Sequence, residues 1–361
     1  MGITDRHIAE ALEWVRFSLH PELPMPAVSD WMKLYEFANK QKIAALCSPS
    51  HWGVRMDENT LFRWLNAVQK TRNNSTKLNM RTTVLYEKLS EAGFRCCILK
   101  GQGNAVMYPE PLLRCPGDID VWIDASEQKI IDYVRSLFPH QKSSFKHIKF
   151  PVFRDVPVDV HHTPLKLYHP THHRRLQQWL EEQKQEQFSH FVRLPITGAE
   201  ICVPTIAFNA VYQLGHIMVH LQDEGIGFRH FIDYYYVIKK LGDCSEEEKQ
   251  QVVKLWKELG MLRLAKAMMW ILHDILGLEE RYLPVEPSRQ LGKIILDEAL
   301  EGGNFGKYSK RQELVKYGFL VQKTARTWHY LQLSRCYPSE TPYHLYSKWK
   351  TIIRVTKEKF K

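Results

Sequence analysis

The segment from Asp118 to Val121 alternates acidic and aliphatic residues, and this alternation constrains the fold more than any other feature of the 361-residue chain. Ile119, Val121 and Ile123 recur at every second position, and Asp118 and Asp120 occupy the positions between and before them. Successive side chains of a β-strand point to opposite faces, so both carboxylates leave one face together, ~6.6 Å apart along the strand. The segment therefore predicts a half-buried strand that carries two carboxylates on its polar face.

A second segment, PVDVHH, has the same alternation. Val158 and Val160 would share one face of a strand, and Asp159 and His161 would share the other. An adjacent strand that presents Asp159 would add a third carboxylate to the first two. Like charges at this distance repel unless a cation sits between them, and carboxylate oxygens suit Mg²⁺ or Mn²⁺. The two segments together predict a metal site on neighbouring strands.

Short strands occupy only the middle of the chain. Four segments have strand character and are separated by Gly and Pro residues: CCIL, DVWI, KHIKF and PVDVH. Apolar residues at helical spacing predict helices before residue 90 and again beyond Thr205. The sequence thus predicts an α+β fold, with an N-terminal helical region over 1–90, a small mixed-sheet core over 91–200 and a C-terminal helical domain over 201–361.

Composition sets limits on the partners and the compartment. The chain has 50 Lys and Arg against 40 Asp and Glu, a formal net charge of +10. This balance favours anionic partners such as nucleotides, nucleic acid or an acidic membrane surface, although solubility alone also explains it. Seven cysteines without a CxxC pair predict reduced thiols and a cytoplasmic protein. No apolar run approaches the ~20 residues that a transmembrane helix needs.

The stretch ILKGQGNAVMYPEPLLRCPGDIDVWID carries the most specific pattern. A Lys-Gly-Gln triplet begins at Lys100, a Gly-Asp-Ile-Asp sequence begins at Gly117, and the third acid is Asp159. This order resembles the nucleotidyltransferase superfamily typified by DNA polymerase β, with Gln102 in place of the usual second small residue. The LKG, R-x-x-GDID and D-x-H motifs are also similar to a family of uncharacterised bacterial nucleotidyltransferases. The match covers residues 98–161 well and reaches GIGFRHFID more weakly.

The resemblance implies a metal-dependent nucleotidyltransferase that moves a nucleoside monophosphate from an NTP, with ATP as the expected nucleotide, to an acceptor hydroxyl or similar group. Mg²⁺ or Mn²⁺ would be held by the acids that also form the catalytic set: Asp118, Asp120 and Asp159. The end of the first strand would open a helix whose free amides, with a lysine, would face the phosphates. The implied nucleotide-binding residues are Lys100, Gly101, Gln102, Arg114 and Gly117.

Three further residues would support the site indirectly. His161 would hydrogen-bond a metal-binding carboxylate, or it is a structural histidine. His216 lies on one helix face with other polar residues, and that face lines the cleft, forms a buried polar network or is solvated. Arg229 reaches the triphosphate or pairs with Asp233 along its helix.

The acceptor and the partners are less constrained by the sequence. No RNA-binding module is recognisable, which favours a small-molecule, peptide or protein acceptor over nucleic acid, and no oligomeric state is indicated. The basic segment from Tyr343 to Lys361 packs as a surface helix or contacts RNA, an anionic membrane or an acidic partner. Two other classes of function stay open: a non-catalytic nucleotide- or RNA-binding module on the same fold, and a helical interaction protein.

Overall fold

A computed structural model of the chain describes residues 6–309 and 319–359. The described residues form two compact units. The first unit contains the described residues of Thr4–Leu165 and Trp179–Asn209. The second contains those of Lys166–Gln178 and Ala210–Lys361. Small sheets in the first unit, together with helices in both, make this the α+β fold that the sequence predicts.

The first unit is organised by a four-stranded mixed sheet. Its strands are β1 Cys96–Ile98, β2 Ile119–Ile123, β3 His147–Lys149 and β4 Val158–His161. Their order is β1-β2-β4-β3, with β2 and β4 parallel and both outer strands antiparallel to their neighbours. All four segments predicted as strands are therefore confirmed. A separate antiparallel pair consists of β5 Phe191–Arg193 and β6 Glu200–Cys202.

Helices make up most of the remaining described chain. The first unit contains α1 Arg6–Leu19, α2 Trp31–Lys40, α3 Glu58–Glu91, α4 Gln102–Ala105 and α5 Glu127–Leu137. The helices α6 Pro170–Gln187 and α7 Ile206–Asp223 each contribute to both units. The second unit contains α8 Phe228–Leu241, α9 Glu246–Glu258, α10 Leu262–Trp270, α11 Arg289–Gly302, α12 Phe319–Leu333 and α13 Thr341–Lys359. Helix α6 was missed by the sequence analysis.

One face of the four-stranded sheet forms the core of the first unit. The aliphatic residues of the two alternating segments lie in this core, as predicted: Ile119, Val121, Ile123, Val158 and Val160. They pack with apolar residues of α3 and α5, including Leu85, Leu89, Ile130 and Val134. Burying one such side chain contributes about 1.5–3 kcal/mol, so this face fixes which way each strand points.

The opposite face carries the polar residues and one large aromatic residue. Trp122 is buried there, with its ring centroid 4.7 Å from Phe188 and 5.9 Å from Phe208. Asp120, two residues earlier on β2, points to the same side. The aromatic contacts thus cover one end of this face, and the carboxylates occupy the other end.

The turn after β1 brings Lys100 to the sheet. The Leu99 amide donates to the Asp120 carbonyl at 3.0 Å, which extends the pairing of β1 with β2. Gly101 then adopts φ 63° and ψ −107°, a conformation open to glycine and strained for other residues. The predicted helix does begin directly after Gly101, as the short helix α4 of four residues. A Cβ on Gly103 would lie 3.0 Å from Val203 Cγ1, so this turn packs too closely against Val203 for a larger residue to fit easily.

Other sequence expectations concern the thiols, the membrane and the basic C-terminal segment. All seven cysteines are free thiols. No helix in the described part of the chain is long and apolar enough to span a bilayer. In α13, Tyr346 and Trp349 are exposed. The side chains beyond residue 350, among them Ile352, Arg354, Lys357 and Lys359, lie outside the described residues, as do Phe360 and Lys361.

We predict that Gly101→Ala destabilises the protein by about 1–3 kcal/mol, because a Cβ strains the backbone at this φ. Urea denaturation followed by circular dichroism measures the change. Gly302→Ala is the control, since Gly302 ends a helix with ordinary φ and its added Cβ would lie 3.7 Å from its nearest neighbour. Equal stability of Gly101→Ala and wild type would contradict the turn geometry.

Candidate active site

The parallel pairing of β2 with β4 brings the acids together. Asp120 is the register partner of Asp159, and Asp118 lies two residues before Asp120 on the same side. Each of the three offers a carboxylate oxygen, and these oxygens all lie within 4.8 Å of one another. Asp120 is buried, Asp159 is half-buried, and Asp118 is the most accessible to solvent. The three predicted acids therefore form one cluster with an open side.

Asp120 contacts one positively charged side chain and one hydrogen-bond donor. Its Oδ2 lies 3.0 Å from Lys100 Nζ, and its Oδ1 lies 2.9 Å from His161 Nε2. Burial raises the pKa of the Asp120 carboxyl, but the lysine charge and the His161 hydrogen bond outweigh burial and hold the pKa well below its ordinary value. Asp120 is therefore a firmly ionised carboxylate, stabilised in part by a lysine.

Asp159 lies in a less compensated environment. Burial, and then repulsion by Asp120, raises the pKa of the Asp159 carboxyl. His147 lies beside it, with its Nε2 3.6 Å from Asp159 Oδ2. Burial, and then the charges of His161 and Lys146, lowers the pKa of His147 to about 4, so this histidine is neutral near pH 7. A cation beside Asp159 would relieve the repulsion that His147 leaves in place.

The donor set of the cluster fits a hard divalent cation. Three carboxylates supply only oxygen ligands, the type that Mg²⁺ and Mn²⁺ prefer. The Lys100 ammonium already lies beside one of these oxygens, which shows that the cluster accepts positive charge. Among the described residues, no other group of three or more His, Cys, Asp and Glu side chains has ligand atoms this close.

Comparison with known protein families identifies the family of this chain. Residues 27–277 match a family described as uncharacterised nucleotidyltransferase. The chain belongs to this family. A crystal structure of an antigenic nucleotidyltransferase-like protein from Paracoccidioides brasiliensis is similar over 50% of this chain and 88% of that one, at 17% identity and a TM-score of 0.31. No curated protein matches the sequence.

The nucleotide-binding residues predicted for this family member have different surroundings. Lys100 lies at the acid cluster, and Gly117 is exposed immediately before Asp118. Gln102 is buried and its amide donates to the side chain of Asn79, so it also serves the packing of the turn. Arg114 is buried too. Binding of nucleotide by these residues stays a prediction.

The other two predicted supporting residues lie in the second unit. His216 Nε2 is 3.2 Å from His220 Nε2 on α7, and His220 Nδ1 is 3.2 Å from a Glu224 carboxylate oxygen. The guanidinium of Arg229 lies 5.4 Å from the ring centroid of Phe305. These contacts give both residues a place in the packing of the second unit, and their supporting roles stay predictions.

Two residues beside the acids were missed by the sequence analysis. His147 and Lys149 lie on β3, where they are register partners of His161 and Asp159. The signal was present in KHIKF, since Ile148 is buried between these two polar residues in the same alternation. What the sequence lacks is the strand order, which places β3 next to β4.

We predict that Asp120→Asn lowers the stability of the metal-free protein at pH 7 by about 1–3 kcal/mol, because it removes the charged partner of Lys100. The folded-state pKa of Asp120 is depressed. Its contribution is therefore complete above about pH 5, begins to decrease as pH falls below the unfolded-state value near 4, and is lost only as pH falls through the depressed folded-state pKa. The difference in unfolding free energy between wild type and Asp120→Asn should therefore decrease as pH falls.

Urea denaturation in chelator at pH 7 and at pH 3.5 tests this expectation. Asp118→Asn is the matched control, because the more accessible carboxylate should change stability by no more than about 0.5 kcal/mol. A stability gap between wild type and Asp120→Asn that is absent at pH 7, or that widens in acid, would show that the Lys100 and His161 contacts do not stabilise the fold.

Proposed function

We propose that this protein catalyses metal-dependent nucleotidyl transfer, moving a nucleoside monophosphate from an NTP to an acceptor hydroxyl or similar group. The observation that carries the proposal is the convergence of Asp118, Asp120 and Asp159, with ligand oxygens within 4.8 Å, in a member of a nucleotidyltransferase family. Phosphoryl-group transfer relies mainly on positioning and charge neutralisation, and a carboxylate cluster that collects cations provides both.

The three acids would have different roles in the reaction. Asp118 and Asp120 would hold a divalent cation against the triphosphate, and Asp159 would hold a second cation beside the acceptor. Bound Mg²⁺ or Mn²⁺ supplies charge neutralisation at the α-phosphate and eases loss of the acceptor proton. Asp159, the half-buried acid of the cluster, would accept that proton. The acceptor oxygen then bonds to the α-phosphorus as the bond to pyrophosphate breaks.

The surrounding residues would position these acids and the nucleotide. His161, whose side chain is 3% exposed, donates to Asp120 and fixes its rotamer. Lys100 and Gly117 lie next to the acids and would contact phosphate groups. We propose ATP as the nucleotide and a small molecule, peptide or protein as the acceptor. The free thiols favour the cytoplasm as the compartment.

The proposal predicts that ATP binds at least about tenfold more tightly with Mg²⁺ or Mn²⁺ than in chelator, because a bridging cation removes the repulsion between triphosphate and carboxylates. Asp118→Asn and Asp159→Asn should each lose this dependence. Asp132→Asn is the matched control, since Asp132 is an exposed carboxylate on α5 that accepts from Gln128 at 2.7 Å. Isothermal titration calorimetry provides the measurement.

Turnover separates the proposed function from the two other classes. The protein is incubated with α-³²P-ATP, Mn²⁺ and pools of hydroxyl-bearing small molecules, peptides and RNA, and both pyrophosphate and labelled product are measured. Product that requires Mn²⁺ and disappears in Asp159→Asn supports the enzyme. Metal-dependent binding without product in any pool supports a binding module instead. Affinity for ATP that is the same with metal and in chelator would refute the metal site.

A further inference from the structure

We propose that Lys100 is a tethered counter-cation: in the nucleotide-free protein it occupies the place of a divalent cation at Asp120, and it transfers to the phosphates when nucleotide and metal bind together. The inference rests on the proposed function and adds a dependence of metal binding on nucleotide binding. Metal alone would bind weakly, and the nucleotide would open the site by giving Lys100 another anion.

The contacts of Asp120 show why Lys100 is the group that must move. The side chain of Asp120 is only 5% exposed, so few routes lead to its oxygens. Oδ1 is held by His161, which is itself buried, and Oδ2 faces the Lys100 ammonium at 3.0 Å. A metal ion that binds Asp120 at Oδ2 therefore has to displace the ammonium.

Lys100 is also suited to movement in a way that His161 is not. Its side chain is 22% exposed and ends a flexible four-carbon stem, whereas the His161 ring is closely packed in the sheet. Lys100 directly precedes Gly101, which adopts a left-handed backbone conformation before α4. The ammonium can rotate from a carboxylate towards a phosphate without a change in the strands.

The charges favour replacement of the Lys100 ammonium by a divalent cation only when nucleotide is present. Three carboxylates attract a divalent cation, but its arrival next to a lysine places two like charges together and breaks an ion pair at a buried carboxylate. A triphosphate offsets both costs, because it takes the ammonium and supplies additional oxygens to the metal. Lys100 thereby couples the two binding events thermodynamically, and the coupling is reciprocal.

Mn²⁺ binding to wild type and Lys100→Met, measured by electron paramagnetic resonance without nucleotide, tests the inference. We expect the variant to bind Mn²⁺ alone about tenfold more tightly, the equivalent of one competing ion pair of 1.4 kcal/mol. The tightening of Mn²⁺ binding by ATP should fall by a similar factor in the variant. Its melting temperature should also rise more with Mn²⁺ than that of wild type, since Mn²⁺ replaces a lost partner of Asp120.

Two variants control for the loss of one positive charge. Lys149→Met removes a lysine from the same sheet face, where Lys149 is the register partner of Asp159, and should change Mn²⁺ affinity less than about threefold. Lys100→Arg keeps the charge and should bind Mn²⁺ alone as weakly as wild type. Lys100→Gln replaces Lys100→Met in the same measurements if the methionine variant does not fold.

The outcomes keep the inference separate from the proposed function. Mn²⁺ affinity in Lys100→Met that equals wild type, or that rises no more than in Lys149→Met, overturns the tethered counter-cation and leaves the metal site intact. If neither wild type nor any folded variant binds Mn²⁺ with or without ATP, the proposed function fails and the inference fails with it. Tight binding of Mn²⁺ alone to wild type also overturns the exchange.

Discussion

The parallel register that sets Asp120 beside Asp159 is the constraint on which the site depends. Like charges directly opposite each other on neighbouring strands destabilise a sheet. Asp120 is also buried, and its contacts with Lys100 and His161 offset the repulsion between the two carboxylates. Local arrangements that oppose folding and are stabilised by their surroundings are a hallmark of functional sites.

The acids and their strands could be predicted from the sequence because they follow from the alternation of neighbouring side chains. The alternation around Asp118 and Asp120 identified a strand and its polar face, and PVDVHH identified the third acid by the same rule. Both depend on side-chain periodicity, which a few neighbouring residues determine. The aliphatic faces of both strands lie in the core, as their alternation requires.

Features that depend on distant parts of the chain could not be predicted in this way. The order of β3 and β4, and with it the placing of His147 and Lys149 near the acids, follows from the packing of the whole sheet. The close packing of Gly103 against Val203 likewise joins residues that are distant along the chain. The ion pair of Lys100 with Asp120 joins residues whose distance is set by the pairing of β1 with β2.

The most direct test of the central claim is the position of Mn²⁺ in crystals grown with a non-hydrolysable ATP analogue. The account predicts an anomalous scattering peak bounded by Asp118, Asp120 and Asp159, at the coordination distances of carboxylate oxygens, with the α-phosphate alongside. Nucleotide bound elsewhere, or Mn²⁺ absent from the three carboxylates while nucleotide is bound, would contradict it.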